Sequence, residues 1–235
     1  RVPFLGRPRV IDEVKEEGLR LSDYTGGDQI LAPKTLALTT REEALLAADI
    51  VLVCVKTGAT EAIADLIATH CSRSAHIVSL QNGMASARVL KTRQPEHDVR
   101  AGMVGFNVVP QSEAHYHQAT SGEIVIEAGG VPLARYLRAP GLVLREDEDI
   151  AALQWGKLLI NLTNALNALS GLPLRQFLTH RDWRRLTADQ MSEALGVLRL
   201  AGHAVTSTSP LPAGLVPWVM RLPTGLFQLV AAQML

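Results

Sequence analysis

A predicted helix in the second half of the chain carries a lysine and two asparagines on one face. Lys157, Asn161 and Asn164 are spaced by four and then three residues, which places them on the same side of a helix. Their neighbours are mainly leucine and isoleucine, and polar groups buried in such surroundings are costly unless they find partners. A solvent-facing stripe, the alternative, usually carries more charge and less asparagine, a poor helix former. The pattern favours a polar pocket lined by an ammonium group and carboxamides.

Two more polar residues follow apolar runs that predict buried strands. Lys56 comes directly after the apolar run at 50–55, and Asn82 lies in the turn after the next strand. Ligands of open parallel sheets bind at the carboxyl ends of the strands. The Lys56 ammonium could meet a phosphate or carboxylate there, and the Asn82 amide faces the same crevice. Solvation remains an alternative for Lys56, and Asn-Gly forms turns in any context.

The turn Leu5-Gly6-Arg7-Pro8-Arg9 follows the first apolar segment. If this segment is the second strand of a dinucleotide-binding unit, its end meets the adenosine ribose. An arginine there suits the 2′-phosphate of NADP, whereas a carboxylate would hold the free 2′-hydroxyl of NAD. Because surface arginines in loops are often simply solvated, the two interpretations stay open on this pattern alone.

Strands that alternate with helices must position these residues. We predict an opening strand, then a helix from Pro8 to Gly18, a hairpin over 19–39, a short helix over 41–48, strands over 50–55, 76–80, 99–109 and 142–144, helices over 60–69 and 85–91, and a hairpin over 113–127 that turns at Ser121-Gly122. The unbroken apolar run at 50–55 is typical of a central parallel strand. The alternation implies a right-handed, doubly wound sheet.

The character of the sequence changes near residue 148. Residues 150–170 and 182–203 predict two long helices, and the remainder is helical with proline-rich breaks over 207–217. We therefore predict a Rossmann-like α/β domain over 1–147 and an all-α domain over 148–235. The chain starts without Met in what resembles half a strand and stops on an uncapped helical pattern, so we expect further sequence at both ends.

Composition excludes several classes of partner. Lys plus Arg and Asp plus Glu both number 23, so there is no basic field to attract nucleic acid or a membrane surface. Two unpatterned cysteines form neither a disulfide framework nor a metal site. His115 and His117 flank Tyr116 without a third ligand nearby, which favours a solvated strand face over a metal site. With no predicted membrane span or signal peptide, we expect a cytoplasmic protein that binds small molecules, and a homodimer stays open.

Four motifs together resemble the ketopantoate reductases (2-dehydropantoate 2-reductases). They are Phe4-Leu5-Gly6-Arg7, Cys54-Val55-Lys56, Gln81-Asn82-Gly83 and Lys157-Leu158-Leu159-Ile160-Asn161. The motifs occur in order along the whole chain, and the ordered set is specific although no single motif is. The resemblance implies a Rossmann domain and a helical domain like that of 6-phosphogluconate dehydrogenase. It also implies hydride transfer from NADPH to ketopantoate, giving pantoate for coenzyme A synthesis.

The resemblance assigns roles residue by residue. Lys157 matches the catalytic lysine, which would hydrogen-bond the ketone oxygen and protonate the developing alkoxide. The remaining matches are Asn161 as a substrate-binding amide, Asn82 beside the nicotinamide and the substrate, Lys56 in the cofactor cleft, Gly6 and Arg7 at the 2′-phosphate, and Val108 with Asn107 as backbone passing the cofactor.

The sequence departs from the family's pattern at several positions, and these departures affect the expected substrate more than the expected type of reaction. The glycine-rich pyrophosphate turn would precede Arg1, and a late serine-rich segment with a carboxylate would follow Leu235. The family's second helix asparagine falls on Ala165, so Asn164 is only a stand-in, and a further asparagine expected near Leu174 is missing. A paralogue acting on another 2-oxo or 3-hydroxy acid therefore stays open. A non-catalytic nucleotide-binding module is a third hypothesis, which predicts loss of the lysine that Lys157 matches.

Overall fold

The structure, a computed structural model, describes residues 2–232 of the chain. The chain divides after Glu148 into two compact units, each of which is described by itself. The first unit combines strands and helices, and the second is built from helices. This is the predicted order of an α/β unit followed by an all-α unit.

Three sheets and three α-helices make up the described part of the first unit. The strands are β1 (Pro3–Leu5), β2 (Leu19–Asp23), β3 (Asp28–Leu31), β4 (Ala37–Thr39), β5 (Ile50–Val53), β6 (His76–Ser79), β7 (Asp98–Val104), β8 (Val108–Pro110), β9 (His115–Gln118), β10 (Ile124–Glu127) and β11 (Leu144–Asp147). The helices are α1 (Pro8–Glu17), α2 (Thr60–His70) and α3 (Ala85–Arg93), with 3₁₀ turns at Pro33–Thr35, Glu42–Ala47, Thr57–Ala59 and Leu133–Arg135.

The largest sheet is mixed and has the order β11-β10-β7-β6-β5. Strands β5, β6 and β7 run parallel, whereas β10 pairs antiparallel with β7 and parallel with β11. Strands β1 and β4 form a separate parallel pair, and β3-β2-β9-β8 form a four-stranded sheet. The predicted strand–helix alternation with parallel pairing is confirmed for the segment from β5 to β7.

Strand β6 shows why this segment is so apolar. Successive side chains of a strand point to opposite faces of the sheet, and both Ile77 and Val78 are fully buried. Ile77 packs with Ile67 of α2 and Leu90 of α3, whereas Val78 packs with Ile126 on the other face. Burial on both faces explains a strand without polar alternation.

Strand β5 does not have the central position that its apolar run predicted. It is the edge strand of the five-stranded sheet as described, pairs there with β6 alone, and leaves Leu52 42% exposed. Its neighbour Val53 is 3% exposed and faces the core. Apolar side chains indicate which faces of a strand are covered. They do not indicate how many strands pair with it, so the apolar run supported a buried strand but not a central one.

The predicted strand over 99–109 is wrong as a single element. The chain leaves the five-stranded sheet after Val104 and enters the four-stranded sheet at Val108. Gly105 marks the exit, because its N–H donates to the carbonyl of Glu123 at 2.8 Å and a Cβ there would meet the same oxygen. Gly122, at a φ of 154°, packs directly against the Gly105 backbone. Two close-packed glycines therefore allow the change of sheet.

The predicted hairpin over 113–127 is also wrong. Strand β9 pairs with β2 and β8, whereas β10 pairs with β7 and β11, so the Ser121-Gly122 turn joins two different sheets. The hairpin that does form here joins β8 and β9. Two strand-like segments joined by a Ser-Gly turn resembled a hairpin because local patterning does not specify the partner strand. The hairpin predicted within 19–39 is confirmed for β2 and β3.

Six helices make up the described part of the second unit. They are α4 (Ile150–Asn161), α5 (Thr163–Ser170), α6 (Leu174–Thr179), α7 (Arg181–Leu200), α8 (Val216–Arg221) and α9 (Thr224–Ala232). Within residues 2–232, no helix combines the length and the apolarity that a membrane crossing requires. The helical pattern predicted for the end of the chain continues into residues 233–235, which lie outside the described range.

The helix predicted over 150–170 is interrupted once, at Leu162. Helix α4 ends at Asn161 and α5 begins at Thr163, so one turn is irregular. The N–H of Leu162 is shared between the carbonyls of Leu158 and Leu159, at 3.1 and 3.3 Å, as is common at helix ends. The backbone of Leu162 keeps helical angles, and α5 continues until Gly171 adopts a left-handed conformation. The irregular turn falls between Asn161 and Asn164, two of the residues predicted to share a face.

Candidate active site

Lys56 and Asn82 occupy equivalent positions beyond two paired strand ends. Val53 and Ser79, the last residues of β5 and β6, are in register, and each candidate lies three positions further along its strand. The final backbone hydrogen bond of this ladder runs from the N–H of Leu80 to the carbonyl of Val53, at 3.0 Å. Both Lys56 and Asn82 are exposed at this edge. The structure brings together this pair, as the sequence predicted.

Two helices begin where these loops end. Helix α2 starts at Thr60 and α3 at Ala85, each directly after the loop that carries a candidate residue. Gly83 has a φ of 84°, which the Asn-Gly turn requires and which residues with a Cβ rarely adopt. Helix N-termini have unpaired N–H groups and a partial positive charge. With the Lys56 ammonium, the edge is suited to an anionic ligand.

A buried amide joins the two loops. Gln81 is 6% exposed, and its side-chain Nε2 donates to the carbonyl of Val55 at 2.9 Å and to the Thr60 hydroxyl at 2.8 Å. The sequence patterns pointed to Asn82 and Lys56 but not to Gln81. The motif Gln81-Asn82-Gly83 contained the signal, although nothing in its spacing revealed contacts across more than twenty positions.

Gly6 and Arg7 lie at the end of β1, in the two-stranded sheet. The Gly6 N–H donates to the carbonyl of Thr39 at 3.1 Å, and a Cβ there would approach Ile11 at 3.1 Å. Arg7 precedes α1, and its carbonyl accepts from the N–H groups of Val10 and Ile11. The Arg7 side chain is exposed. Arg7 thus has the accessible strand-end position that a 2′-phosphate ligand requires.

Val108 belongs to a third sheet and is not grouped with Lys56 and Asn82. It is the first residue of β8, opposite Gln118 of β9, and is 47% exposed. Asn107, beside it, is tied by its N–H to the Thr120 hydroxyl at 2.9 Å. Its cofactor role therefore remains a prediction that the described contacts neither favour nor contradict.

Lys157 lies in the second half of α4 and is half-buried. Burial lowers the pKa of its ammonium group below the usual value of a lysine. Two contacts hold the part of the helix that precedes it: the Trp155 and His203 rings lie 5.2 Å apart, and the N–H of Thr206 donates to the carbonyl of Ala152 at 3.0 Å. These contacts fix the turn from which the lysine extends.

The two asparagines of the polar stripe differ in their surroundings. Asn161 is half-buried, one helical turn beyond Lys157 in α4, whereas Asn164 is exposed and lies in α5. The irregular turn at Leu162 separates them. The structure therefore brings together Lys157 and Asn161 more clearly than it brings either together with Asn164.

An apolar crevice lies on the neighbouring face of α4. Its cavity volume is about 10 Å³, which is room for roughly one water molecule. Its lining residues come from α4, α7, α8 and the segment before α8: Gly156, Leu159, Ile160, Met191, Leu195, Ser207, Ala213 and Val216. Gly156 and Ile160 flank Lys157 along the helix surface, so apolar and polar faces of α4 adjoin at the lysine.

The two histidines considered for a metal share a serine. Ser22 Oγ lies 2.8 Å from His115 Nε2 and 2.8 Å from His117 Nδ1, across the parallel β2–β9 pair. Among residues 2–232, no group of three or more His, Cys, Asp or Glu side chains is arranged to hold a metal ion. Cys54 and Cys71 are free thiols.

Comparisons with known proteins agree with this architecture. The profile described as "Ketopantoate reductase PanE/ApbA" matches residues 1–130, and that of its C-terminal region matches residues 149–224. A 2-dehydropantoate 2-reductase of Halobacterium salinarum is 24% identical over 206 residues, which cover 84% of this chain and 67% of that protein.

Solved structures show the same fold. A PanE/ApbA family ketopantoate reductase from Ralstonia eutropha JMP134 matches with a TM-score of 0.77 and 26% identity, over 97% of this chain and 71% of its own. A ternary structure of D-mandelate dehydrogenase with NADH and anilino(oxo)acetate matches with a TM-score of 0.74 and 16% identity, over 98% and 77% of the two chains.

The α/β unit, the helical unit and the match to a reductase family define an oxidoreductase of two-unit architecture. Within that class, the chain belongs to the ketopantoate reductase PanE/ApbA family, because the two family profiles together match most of its length. The resemblance inferred from the four sequence motifs is thereby confirmed.

Proposed function

We propose that this protein reduces ketopantoate to pantoate with NADPH as the hydride donor and Lys157 as the general acid. Family membership and the name of the Halobacterium salinarum relative support the reaction. The observation that carries the proposal is the half-buried ammonium of Lys157 on a closely held helix, with its pKa lowered by burial.

Lys157 has the properties that the proton transfer requires. Reduction of a ketone places negative charge on the carbonyl oxygen, which a nearby ammonium group stabilises by hydrogen bonding and then protonates. Partial burial strengthens this electrostatic interaction. A general acid also works best when its pKa is close to the operating pH, and burial shifts the pKa of Lys157 in that direction.

The amides provide orientation in this proposal. Asn161, one turn from Lys157, hydrogen-bonds a hydroxyl or carbonyl oxygen of the substrate, and Asn82 contacts the nicotinamide end of the cofactor and the substrate. Asn164 contributes to substrate binding from the next helix. A neutral amide both donates and accepts hydrogen bonds, so it can bind a hydroxy acid and an oxo acid alike.

The first unit fits a phosphate-containing cofactor. The fit rests on the exposed Lys56 ammonium beside the N-termini of α2 and α3, and on the exposed Arg7 guanidinium at the end of β1. Gly6 keeps the turn before Arg7 compact, and Val108 contributes backbone. When bound, NADPH supplies the hydride; Arg7 holds its 2′-phosphate, and Lys56 neutralises negative charge in the cleft.

A related reaction on another 2-oxo acid is the second candidate. D-Mandelate dehydrogenase, which shares the fold, was solved with NADH and anilino(oxo)acetate, so this architecture accommodates other acids and the other nicotinamide cofactor. The exposed position of Asn164 favours a changed substrate contact.

The test is an assay of the full-length gene product that follows NADPH absorbance with ketopantoate and with other branched or aromatic 2-oxo acids. Oxidation that is fastest with ketopantoate and slow with NADH supports the main proposal. Oxidation with another acid alone supports the second candidate and identifies its substrate. Binding of NADPH without turnover of any acid would instead support a non-catalytic nucleotide-binding module.

A further inference from the structure

Four polar side chains are buried together where β5 and β6 end. Thr60, Ser79, Gln81 and Ser86 are between 1% and 6% exposed. Buried polar groups destabilise a protein unless they are hydrogen-bonded, so such a cluster indicates a specific arrangement. Ser79 ends β6, and Gln81 lies in the loop that carries Asn82. Thr60 and Ser86 lie at the starts of the helices that follow the Lys56 loop and the Asn82 loop.

Gln81 is the centre of this network. Its Nε2 donates to the carbonyl of Val55 at 2.9 Å and to the Thr60 hydroxyl at 2.8 Å, and its Oε1 accepts from the Ser79 hydroxyl at 3.1 Å. A backbone carbonyl can only accept, so the amide nitrogen must face Val55 and the orientation of the amide is determined. Both donors of the amide are used.

The network continues to the starts of both helices. The Thr60 hydroxyl donates to the carbonyl of Thr57 at 2.8 Å and lies 3.4 Å from the hydroxyl oxygen of Ser86 in α3. Val55 directly precedes Lys56, and Gln81 directly precedes Asn82. The backbone ladder of β5 and β6 ends at the bond between Leu80 and Val53, and the Gln81 amide continues the connection beyond it.

We propose that Gln81 is a positioning residue, which fixes the Lys56 loop relative to the Asn82 loop through its amide. The consequence for activity rests on the cofactor and substrate roles proposed above for Lys56 and Asn82. Gln81 itself is buried beneath these residues and acts through them. Fixing the two loops before binding reduces the ordering that the cofactor would otherwise have to impose.

The experiment compares two buried glutamines of the same unit. Gln81→Leu removes the network at similar side-chain size. Gln94→Leu is the matched control, because Gln94 is 4% exposed and donates to the carbonyl of Ala64 at 2.6 Å, at the far end of α3. Both lose a buried amide, so both are expected to lower Tm. Hydrogen exchange, kcat and the KM for NADPH are measured in the full-length gene product.

For Gln81→Leu we expect faster amide exchange over residues 56–60 and 82–86 and a kcat/KM reduced roughly tenfold to hundredfold, as displaced functional groups cause. For Gln94→Leu we expect exchange in these segments and kcat/KM within about twofold of wild type. Equal effects of the two variants, or unchanged exchange in Gln81→Leu, would overturn the proposal.

A second pair covers the case in which Gln81→Leu does not fold. Thr60→Val removes the hydroxyl that accepts from Gln81, whereas Thr60→Ser keeps it. We expect Thr60→Val to reproduce the faster loop exchange and the reduced kcat/KM, and Thr60→Ser to stay closer to wild type; the same values for both would count against the network. If the wild type turns over no 2-oxo acid, the proposed function is wrong. Amide hydrogen exchange in the two loops then still tests whether Gln81 fixes them.

Discussion

The carbonyl oxygen of Thr206 lies against the Cα of Gly156, in space that a Cβ at position 156 would fill. The contact is backbone to backbone, so neither side can move away as a flexible side chain would. It occurs one residue before Lys157, and the N–H of the same Thr206 donates to the carbonyl of Ala152. The segment that contains Thr206 therefore holds α4 at the turn from which Lys157 extends.

Gly156→Ala is expected to destabilise the second unit by about 1–3 kcal/mol, because the new methyl group overpacks a rigid contact. The same substitution at Gly196 is the matched control: this glycine lies within α7, and the place that a Cβ would take is open space. Gly196→Ala should raise stability by about 0.5–1 kcal/mol, since alanine is the better helix former. Thermal unfolding of both variants tests this, and a stabilised Gly156→Ala would contradict the close contact.

Removing the charge of the two candidate lysines should affect different quantities, the rate of reduction for Lys157 and the binding of NADPH for Lys56. Lys157→Met should lower kcat by roughly a hundredfold to ten-thousandfold, the usual contribution of general acid catalysis, with little change in the Kd for NADPH. Lys56→Met should mainly raise that Kd. Steady-state rates and cofactor titration of both variants measure the difference, and unchanged turnover in Lys157→Met would remove Lys157 from the mechanism.

The lowered pKa of Lys157 gives a further expectation about pH. The ammonium form is the acid, so the rate of reduction should fall as the pH rises through this pKa. Burial lowers the pKa, so the fall should begin below the value of about 10.4 that is usual for lysine. The pH profile of kcat for wild type measures it. A rate that stays level up to the titration range of an exposed lysine would contradict the effect of burial.

The sequence predicted the fold class well because hydrophobic periodicity records which faces are buried. It succeeded for β6, which is covered on both faces, and for α2 and α3. It failed where strands that follow one another along the chain have different partners: β9 and β10 resembled a hairpin yet belong to two sheets. Strand pairing is decided by contacts between distant segments, and a single sequence does not contain this information locally.

At the candidate site too, local spacing could be predicted from the sequence, whereas contacts between distant residues could not. Lys157 and Asn161 could be grouped from spacing because one regular helix relates them. The irregular turn at Leu162, which separates Asn164, has no sequence signature, because no glycine or proline occurs between Lys157 and Ser170. Gln81 was missed for a related reason, because its acceptors Val55 and Thr60 are 26 and 21 positions away.

Asp98 should make the first unit sensitive to acid. It accepts from the buried Arg100 guanidinium at 2.7 and 3.0 Å and lies 2.8 Å from His76 Nδ1. The hydrogen bonds from Arg100, and then from His76, lower the pKa of its carboxyl group. A carboxyl whose pKa is lower in the folded state contributes stability above its unfolded pKa, near 3.9, and loses it as the pH falls through the folded value.

Asp98→Asn should therefore lower Tm at neutral pH and flatten the dependence of Tm on pH in the acid range. The control is Asp65→Asn, since Asp65 pairs with Arg93 on the surface, where its side chain is 70% exposed. Surface pairs contribute little, so this variant should keep the wild-type profile. If both variants respond alike, the Arg100 contact does not control the acid response.

Arg7 should control the choice between the two nicotinamide cofactors. Loss of one charge-assisted contact costs about 1.5–3 kcal/mol, so Arg7→Ala should weaken NADPH binding roughly tenfold to hundredfold and leave NADH binding unchanged. Arg9→Ala is the comparison, because Arg9 flanks the same turn and is also exposed. Kd values for both cofactors decide the matter, and an effect confined to Arg9→Ala would move the 2′-phosphate contact to that residue.

Asn161 and Asn164 should differ in their effect on the substrate. Asn161 is half-buried beside Lys157, so a bound substrate would complete a hydrogen bond in a partly desolvated place, and Asn161→Ala should reduce kcat/KM by about 1–3 kcal/mol, or roughly fivefold to more than a hundredfold. Asn164 is exposed beyond the irregular turn, and Asn164→Ala should change kcat/KM for the preferred acid less than tenfold. Assays of each variant across a series of 2-oxo acids separate the two roles. A larger loss in Asn164→Ala that depends on the acid would show that α5 reaches the substrate, and would make Asn164 the residue through which this chain selects its acid.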